Sequence, residues 1–424
     1  MEQKTNKRAL VVGLGIAGMS AAVGLREAGW TPVIVERSPE RRTGGYFVGL
    51  FPEGKQAAQD LGVMDHLHTR NPVSGTEWSI DRRGRHHQWP GFLDQPGEPA
   101  AVMRGDIEAA LWHSLRDDAE LESVEVRFGT RPVEIIDGAE TADVVLEDVA
   151  TGERRRETFD LVVGADGLRS TVRALAFGPH EEFMESWNAI ICAFELDEQV
   201  PGYGPQDGVI VARAGRAAWT FAFSDRTPTM LLTYRTDDED AQFKRSPMET
   251  LEAAFDGLEH PAVAHGLQTL RTAPHYLFDS VHQVKMPTWH RGHVVLVGDS
   301  AWCLNLFSGM GSTAGLQGGA ALGKALKDHP DDLNTALTAW EEQMRPPITT
   351  YQKRARLMQH LFVPTGRISE ALRNTVLRTM AAINRLKSRR SGTSPSTALR
   401  TGPGVTATRE ITADESVGNM SGGR

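Results

Sequence analysis

The sequence predicts an α/β protein: a doubly wound, Rossmann-like domain that is discontinuous in sequence, with an inserted antiparallel sheet and C-terminal helices. The first observation is a strand, a helix and a strand within about thirty residues of the N-terminus, the usual opening of a doubly wound sheet. The second is a set of alternating β-rich segments in the middle of the chain, typical of an antiparallel sheet. The third is a return to buried-strand and helix patterns after those segments.

The N-terminal elements follow from apolar runs and their boundaries. A strand is predicted over 8–12, a helix over 17–28 that ends at Gly29, and a strand over 32–36. Next come a helix from 106 to about 115, strands near 124–128 and 144–146, and a buried strand over 159–164. The first part of the nucleotide-binding domain is therefore placed at residues 1–173.

The middle and the end of the chain differ in texture from the start. Strands are predicted over 189–196, 208–212, 217–223 and 229–234, with one helix near 248–258, which defines a second domain at 174–286. A strand over 293–298 and a helix of small residues over 313–326 return the chain to the first domain at 287–330. Helical periodicity over 333–386 predicts C-terminal helices at 331–387, and the composition of 388–424 predicts a flexible tail.

Composition excludes several classes of protein. The chain has 46 Lys and Arg against 55 Asp and Glu, a net charge of −9, which disfavours broad nucleic-acid binding. No apolar run approaches about 20 residues, so integral membrane association is not expected, and no targeting segment is visible. The cysteines, Cys192 and Cys303, are far apart in sequence, which favours a reducing cytoplasm over a disulfide framework. Histidine spacing predicts no metal site.

A glycine-rich motif lies between the first strand and the first helix. Gly13 permits a tight turn, and Gly15 lets a pyrophosphate approach the backbone. Ala17 and Gly18 complete the motif, and Gly18 lets the helix pack closely. Glu36, at the end of the second strand, is placed to accept hydrogen bonds from ribose hydroxyls. A glycine-rich turn without a ligand is the alternative. The motif alone does not separate NAD from FAD.

Two later segments favour FAD, because a flavin extends well beyond the adenosine pyrophosphate. These are residues 160–173, which contain Asp166-Gly167, and residues 298–313, which contain Gly298-Asp299 and the turn Gly309-Met310-Gly311-Ser312. With the glycine motif, they make the chain resemble the class A, single-component flavin monooxygenases over about residues 8–360. This family is typified by para-hydroxybenzoate hydroxylase and includes polyketide aromatic hydroxylases and tetracycline-inactivating enzymes.

The resemblance implies roles for individual residues. Asp166 resembles an acid associated with FAD and nicotinamide binding, and Asp299 resembles the acid that holds the ribityl hydroxyls. Arg104 resembles an arginine that lies near the flavin and its phosphates. Either Arg41 or Arg42 resembles a second arginine beside the flavin, and Arg37 is also expected at the cofactor. The turn of residues 309–312 is expected to bring N–H groups and a helix N-terminus to the flavin ring.

The resemblance also implies the reaction. Non-covalent FAD is expected to be reduced by a transient NADPH or NADH and to react with O₂. The resulting C4a-hydroperoxide would hydroxylate an aromatic or polyketide-like small molecule. Tyr46, Phe47, Trp219 and Phe221 are candidates for lining the substrate pocket. No catalytic residue is assigned.

The chain departs from the family pattern at one place. It has Ser300-Ala-Trp302 where the family has an alanine pair and histidine, and Asn305-Leu306 where the family has two prolines that border the site of oxygen reaction. Two alternatives therefore stay open: a flavin-dependent reductase or dehydrogenase on the same fold, and a flavin-containing protein that binds a drug without turnover.

Overall fold

The computed structural model describes residues 7–375, apart from residues 90, 96, 119–122 and 374. Its strands, in chain order, are β1 (Arg8–Val12), β2 (Thr31–Glu36), β3 (Phe47–Leu50), β4 (Glu77–Ile80), β5 (His86–Trp89), β6 (Ala100–Met103), β7 (Glu125–Phe128), β8 (Thr130–Asp137), β9 (Ala142–Asp148), β10 (Arg154–Phe159), β11 (Leu161–Gly164), β12 (Met184–Glu195), β13 (Gly208–Arg213), β14 (Arg216–Phe221), β15 (Thr229–Arg235), β16 (Tyr276–Val284), β17 (His290–Arg291) and β18 (Val294–Leu296). Its α-helices are α1 (Ile16–Glu27), α2 (Pro52–Asp60), α3 (Arg104–Trp112), α4 (Thr171–Ala176), α5 (Glu239–Gln242), α6 (Pro247–Phe255), α7 (Pro261–Leu270), α8 (Asp299–Trp302), α9 (Gly311–Asp328) and α10 (Leu333–Phe362).

The first sheet is the doubly wound sheet that the N-terminal pattern predicts. Its strand order is β17-β18-β11-β1-β2-β7, and the pairs from β18 to β7 are parallel. β1 lies at the centre and is almost wholly buried, as expected for a strand covered on both faces. Because β18 pairs with β11, the return of the chain to this domain is confirmed.

Helices α1 and α9 pack very closely, and this contact positions the site. A Cβ atom added at Gly323 would lie 2.4 Å from the carbonyl oxygen of Gly24, and one added at Gly319 would lie 2.4 Å from the carbonyl carbon of Ser20. The small residues of both helices are therefore required for their approach. The contact fixes α9 against α1, the helix that follows the glycine turn.

The second sheet has the order β16-β12-β15-β14-β13-β4-β5. The four strands predicted in the middle of the chain correspond to β12–β15. Two further strands, β4 and β5, come from the segment before residue 174, and β4 pairs in parallel with β13 through Glu77 and Gly208. These two strands are short and polar, so they lack the apolar alternation on which the sequence prediction depends.

The prediction of one helix in this region is wrong, because α5 and α7 accompany α6. Gly266 lies in the middle of α7 and weakens its helical signal. A Cβ atom at Gly266 would lie 2.0 Å from the sulfur of Met230. The glycine lets α7 lie against β15, a tertiary requirement that sequence periodicity does not show.

The C-terminal part of the described chain is helical, as predicted. α10 is 30 residues long and contains Pro346 and Pro347, and residues 367–373 and 375 are also helical. The predicted end of the helices at 387 and the predicted flexible tail at 388–424 lie outside the described residues. Among the helices that can be described, none has the length and apolar character needed to cross a membrane.

Candidate active site

A cavity of about 580 Å³ lies between the carboxyl ends of the parallel strands and the second sheet. Val12 and Glu36, at the ends of β1 and β2, line it from one side, whereas Ile191, Phe221 and Leu231 line it from the other. The crevice at the carboxyl ends of parallel strands is where open α/β sheets bind ligands. The cavity has a charged end at the first sheet and an apolar end at the second.

The predicted glycine turn forms part of the charged end. Gly13 has a φ of 106°, and a Cβ atom there would lie 2.5 Å from the carbonyl oxygen of Ala165. Gly15 is the N-cap of α1, and Gly13, Gly15 and Ala17 line the cavity. Gly18 lies beneath the turn, because a Cβ there would lie 2.0 Å from the Gly13 carbonyl oxygen. The turn thus presents the unpaired N–H groups of the helix start to the cavity.

Glu36 lines the cavity beside this turn. Its Oε2 accepts a hydrogen bond from the Leu14 N–H at 3.0 Å, and its Oε1 accepts one from the Ser38 N–H at 2.9 Å. The carboxylate therefore also fixes the glycine turn. Each oxygen can accept a further hydrogen bond, which leaves room for the predicted contact with ribose hydroxyls. That contact stays a prediction.

Three arginines make the charged end cationic. Arg37, Arg41 and Arg42 all line the cavity. The Arg41 guanidinium lies 5.3 Å from the ring centroid of Trp112. Among the described residues, no carboxylate forms an ion pair with any of the three arginines. Because none of the three is held in such an ion pair, their guanidinium groups are available to an anionic ligand such as a pyrophosphate, although Glu40 and Glu108 line the same cavity.

Arg104 is the first residue of α3, and its Nη2 lies 2.7 Å from Oε1 of Glu108. Both side chains line the cavity. Burial raises the pKa of Glu108, and the charges of Arg104 and Arg41 oppose that rise. Glu108 is not among the site residues predicted from the sequence, although its spacing of four residues from Arg104 is a visible signal. Glu108 holds the Arg104 guanidinium in place.

Asp166 lines the cavity just after β11, and its carboxylate is already occupied. It accepts hydrogen bonds from Ser170 Oγ at 2.5 Å, the Thr171 N–H at 2.6 Å, the Val172 N–H at 3.2 Å and Ser300 Oγ at 3.2 Å. These bonds cap α4 and fix the loop that faces the cavity. A contact between Asp166 and a cofactor stays a prediction.

Asp299 faces the middle of the cavity from the start of α8. Burial raises the pKa of Asp299, whereas a hydrogen bond with the Cys303 thiol and the charge of Arg104 lower it. The Cys303 thiol is buried, and its pKa is raised well above the usual value by burial and by Asp299. This thiol–carboxylate contact is not predictable from the sequence, because it depends on the short turn after α8.

The turn of residues 309–312 borders the same part of the cavity. Gly309 adopts a left-handed conformation with a φ of 67°, and α9 begins at Gly311. Gly309, Gly311 and Ser312 line the cavity. Met310 is 2% exposed and lies in the core beneath the turn, so its side chain does not face a ligand. The start of α9 therefore points unpaired N–H groups at the cavity, as α1 does.

The departure from the family pattern has a structural explanation. Asn305 has a φ of 56°, which proline cannot adopt. Its Oδ1 accepts a hydrogen bond from the Phe307 N–H at 3.0 Å, and Asn305 and Leu306 both line the cavity. Trp302 instead points into the core, where its ring centroid lies 4.7 Å from that of Trp289. The backbone beside the cavity is thus shaped by asparagine at this position.

Aromatic side chains form the apolar end. Phe47 stacks on Phe221 with centroids 4.4 Å apart and an interplanar angle of 9°, and Phe92, not predicted from sequence, meets Phe47 edge-on at 5.3 Å. Tyr46, Phe47, Phe92 and Phe221 line the cavity. Trp219 lies behind this wall and stacks on Phe221 at 6.3 Å. Burial raises the pKa of Tyr46, so its phenol is neutral at pH 7.

Two histidines that pair with carboxylates are His282, which lines the cavity, and His293, which precedes β18 and does not line it. His282 Nε2 lies 3.4 Å from Oε2 of Glu239, and His293 Nδ1 lies 2.8 Å from Oδ1 of Asp137. Within the part of the chain that the structure describes, no group of three His, Cys, Asp or Glu side chains is arranged to hold a metal ion.

The cavity fits a flavin dinucleotide. Two helix starts without side chains at Gly15 and Gly311 leave room for a ligand to approach the backbone, since a Cβ at Gly311 would meet nothing within 4 Å. The cationic cluster suits the pyrophosphate, and Asp299 and the aromatic wall line the same cavity. These features support binding of one elongated, anionic and partly aromatic molecule.

Comparisons with known proteins agree. A family model described as an FAD binding domain matches residues 6–332. An uncharacterized protein of Mycobacterium tuberculosis is 32% identical over 346 residues, which cover 77% of this chain and 86% of that protein. A flavin-dependent monooxygenase from an unknown prokaryotic organism is 24% identical and covers 88% of this chain and 96% of its own.

A solved structure shows the same fold. The tetracycline destructase Tet(51) superposes with a TM-score of 0.70 and 23% identity, covering 91% of this chain and 98% of the other. The resemblance to flavin monooxygenases is confirmed by these matches. The chain belongs to the FAD-binding domain family and is an FAD-dependent oxidoreductase of the monooxygenase class.

Proposed function

We propose that this monooxygenase consumes NADH or NADPH and O₂ and hydroxylates a flat aromatic or polyketide-like small molecule. The observation that carries the proposal is the polarity of the cavity, which has a cationic end beside α1 and an aromatic end beside the second sheet. When bound, FAD supplies electron transfer and oxygen activation. The chain itself binds, orients and excludes water.

Several of the predicted cofactor residues have a role in this proposal. The N-terminus of α1, with Arg37 and Arg42, would hold the pyrophosphate, and Glu36 would accept hydrogen bonds from the adenosine ribose. Asp299 would accept hydrogen bonds from the ribityl chain. The N–H groups of Gly311 and Ser312 would meet the polar edge of the flavin ring and stabilise negative charge there.

The aromatic end would receive the substrate. Phe47 and Phe221 stack on each other and, with Ile191 and Leu231, form an apolar wall. Such a wall keeps water from the reacting atoms, which favours transfer of oxygen to the substrate over its loss to water. The second domain, predicted at 174–286, would be the substrate domain, joined by β4 and β5. Tetracycline destructase Tet(51) is named for a substrate with fused rings, which supports the choice of a flat aromatic or polyketide-like substrate.

A reductase or dehydrogenase activity remains the second candidate, because Asn305 and Leu306 replace the proline pair. The reducing cytoplasm is the proposed location, supported by two free and buried cysteines. A flavin-containing drug-binding protein is the non-catalytic alternative.

The experiment follows NAD(P)H oxidation by the purified holoenzyme against a panel of aromatic and polyketide compounds under ¹⁸O₂. We expect one compound class to stimulate oxidation and to gain one ¹⁸O atom by mass spectrometry. A reduced or desaturated product without ¹⁸O would establish the reductase or dehydrogenase. Tight binding of a compound without any stimulated oxidation would instead favour the binding protein.

A further inference from the structure

We propose that Arg354 binds an anionic group of the substrate, so that the substrate is a planar aromatic acid. This inference rests on the proposed function, since it takes the apolar end of the cavity as the substrate site. It assigns a specificity residue that the motifs of the sequence do not include.

The position of Arg354 follows from the geometry of α10. Arg354, Met358 and Phe362 are spaced four residues apart, so they share one face of the helix, and all three line the cavity. The Phe362 ring stacks on Trp219 at 4.3 Å and lies 6.0 Å from Phe307. α10 therefore forms a wall of the apolar end, and Arg354 lies on that wall one turn from Met358.

The charge of Arg354 is not neutralised by the protein. No hydrogen bond or ion pair links its side chain to any of the described residues. Arg169, which also lines the cavity, differs because it contacts Asp279 of β16 at 2.8 and 3.0 Å. Arg37, Arg41 and Arg42 lie at the opposite, nucleotide end. Arg354 is thus a solvent-exposed cation that lines the cavity on the same helix as Met358 and Phe362.

An acid is the ligand chemistry that this arrangement favours. The guanidinium presents a planar fork of donors that matches a carboxylate, and a charge-assisted pair of this kind is stronger than a neutral hydrogen bond. The stacked rings of Phe47 and Phe221 would face the planar body of the same molecule. A neutral aromatic compound would fill the apolar end but would leave the guanidinium without a partner.

The test compares matched acids and amides on the holoenzyme by calorimetry. The probes are 2-naphthoate and 6-hydroxy-2-naphthoate with their carboxamides. The variants are Arg354→Gln and Arg354→Lys, with Lys353→Gln as a control that removes a neighbouring exposed cation outside the cavity lining. We expect the natural protein and the control to bind the acids at least about tenfold more tightly than the amides. Arg354→Gln should abolish that preference, and Arg354→Lys should keep part of it.

Three results would overturn the proposal: no preference for the acids in the natural protein, an equal loss of acids and amides in Arg354→Gln, or the same loss in Lys353→Gln. Weaker NADPH binding in Arg354→Gln, with the preference for acids unchanged, would instead assign Arg354 to a phosphate of the reductant. NAD(P)H oxidation distinguishes failure of the proposed hydroxylation from failure of the acid site at Arg354.

If acids bind with an Arg354-dependent preference but stimulate no oxidation, the acid site is supported and hydroxylation is refuted. If only neutral aromatics stimulate oxidation, hydroxylation is supported and the acid site is refuted.

Discussion

Phe47 is the residue at which packing and ligand binding compete most directly. It belongs to β3, where its N–H donates to Thr229 Oγ1 at 3.2 Å, and its ring reaches the cavity between Phe92 and Phe221. Its neighbour in space, Phe223, lies 5.9 Å away but is 1% exposed and does not line the cavity. Phe47 at the cavity wall and Phe223 in the core therefore allow the same substitution to be compared in two environments.

We expect Phe47→Leu to leave FAD content and melting temperature nearly unchanged, because Phe47 is only partly buried at the cavity wall and leucine there leaves no enclosed void. Substrate affinity, or the fraction of NAD(P)H oxidation that yields product, should change instead. Phe223→Leu is the control and should lower the melting temperature more, because it leaves a void in the core. If Phe47→Leu melts well below the parent and its folded fraction has unchanged kinetics, Phe47 is a core residue.

At the residue scale, sequence motifs predict which residues line the cavity better than they predict the contacts that those residues make. Glu36 and Asp299, predicted at the cofactor because each follows a strand of a recognisable unit, both line the cavity, and their contacts with the cofactor stay predictions. Glu108 and Arg354 were missed, since helices α3 and α10 gain their place at the cavity only through tertiary packing. Asp166 shows the converse: its motif is visible in the sequence, but the four hydrogen bonds that occupy its carboxylate are not.

Among the elements, β4 joins two parts of the chain that the sequence separates. Glu77 of β4 pairs with Gly208 of β13, and a Cβ atom at Gly208 would lie 1.9 Å from the Glu77 carboxylate. The missing side chain of Gly208 thus makes room for Glu77. Burial first, and then the charges of Asp207 and Asp94, raise the pKa of Glu77 to about 7.

This raised pKa predicts a pH dependence of stability. The folded state favours the protonated Glu77, whose pKa in the unfolded chain is about 4.5, so stability should fall as pH rises from about 4.5 to about 7 and then level off. Each pKa unit corresponds to about 1.4 kcal/mol, so the loss over this whole pH range should be about 3.5 kcal/mol. Thermal unfolding at pH 5 and pH 8 measures it.

Glu77→Gln should flatten this part of the profile, because the amide cannot ionise. Glu181→Gln, on the surface, provides the comparison and should leave the profile as it is in the parent. An unchanged pH dependence in Glu77→Gln would assign the effect to other groups.

For the molecule as a whole, the two sheets were predictable in kind, because apolar periodicity distinguishes buried parallel strands from half-exposed antiparallel ones. Their meeting point was not predictable in detail. The pairing of β4 with β13, the close packing of α1 on α9 and the wall formed by α10 depend on contacts between residues far apart in the sequence. These contacts give the cavity its two unlike ends.

The whole cavity also predicts how FAD is held. Cys192 is buried in the second sheet and does not line the cavity, whereas Cys303 does. Because burial and Asp299 raise the pKa of Cys303 far above neutral pH, its sulfur is protonated and a poor nucleophile. His282, which also lines the cavity, has Nε2 beside Glu239.

We therefore expect the protein to purify yellow. Acid precipitation should release all of its flavin into solution, from the parent and from Cys303→Ser alike. Colour retained on the parent pellet but lost from the Cys303→Ser pellet would demonstrate a covalent thioether, and a colourless parent that cannot be reconstituted with FAD would contradict flavin binding itself.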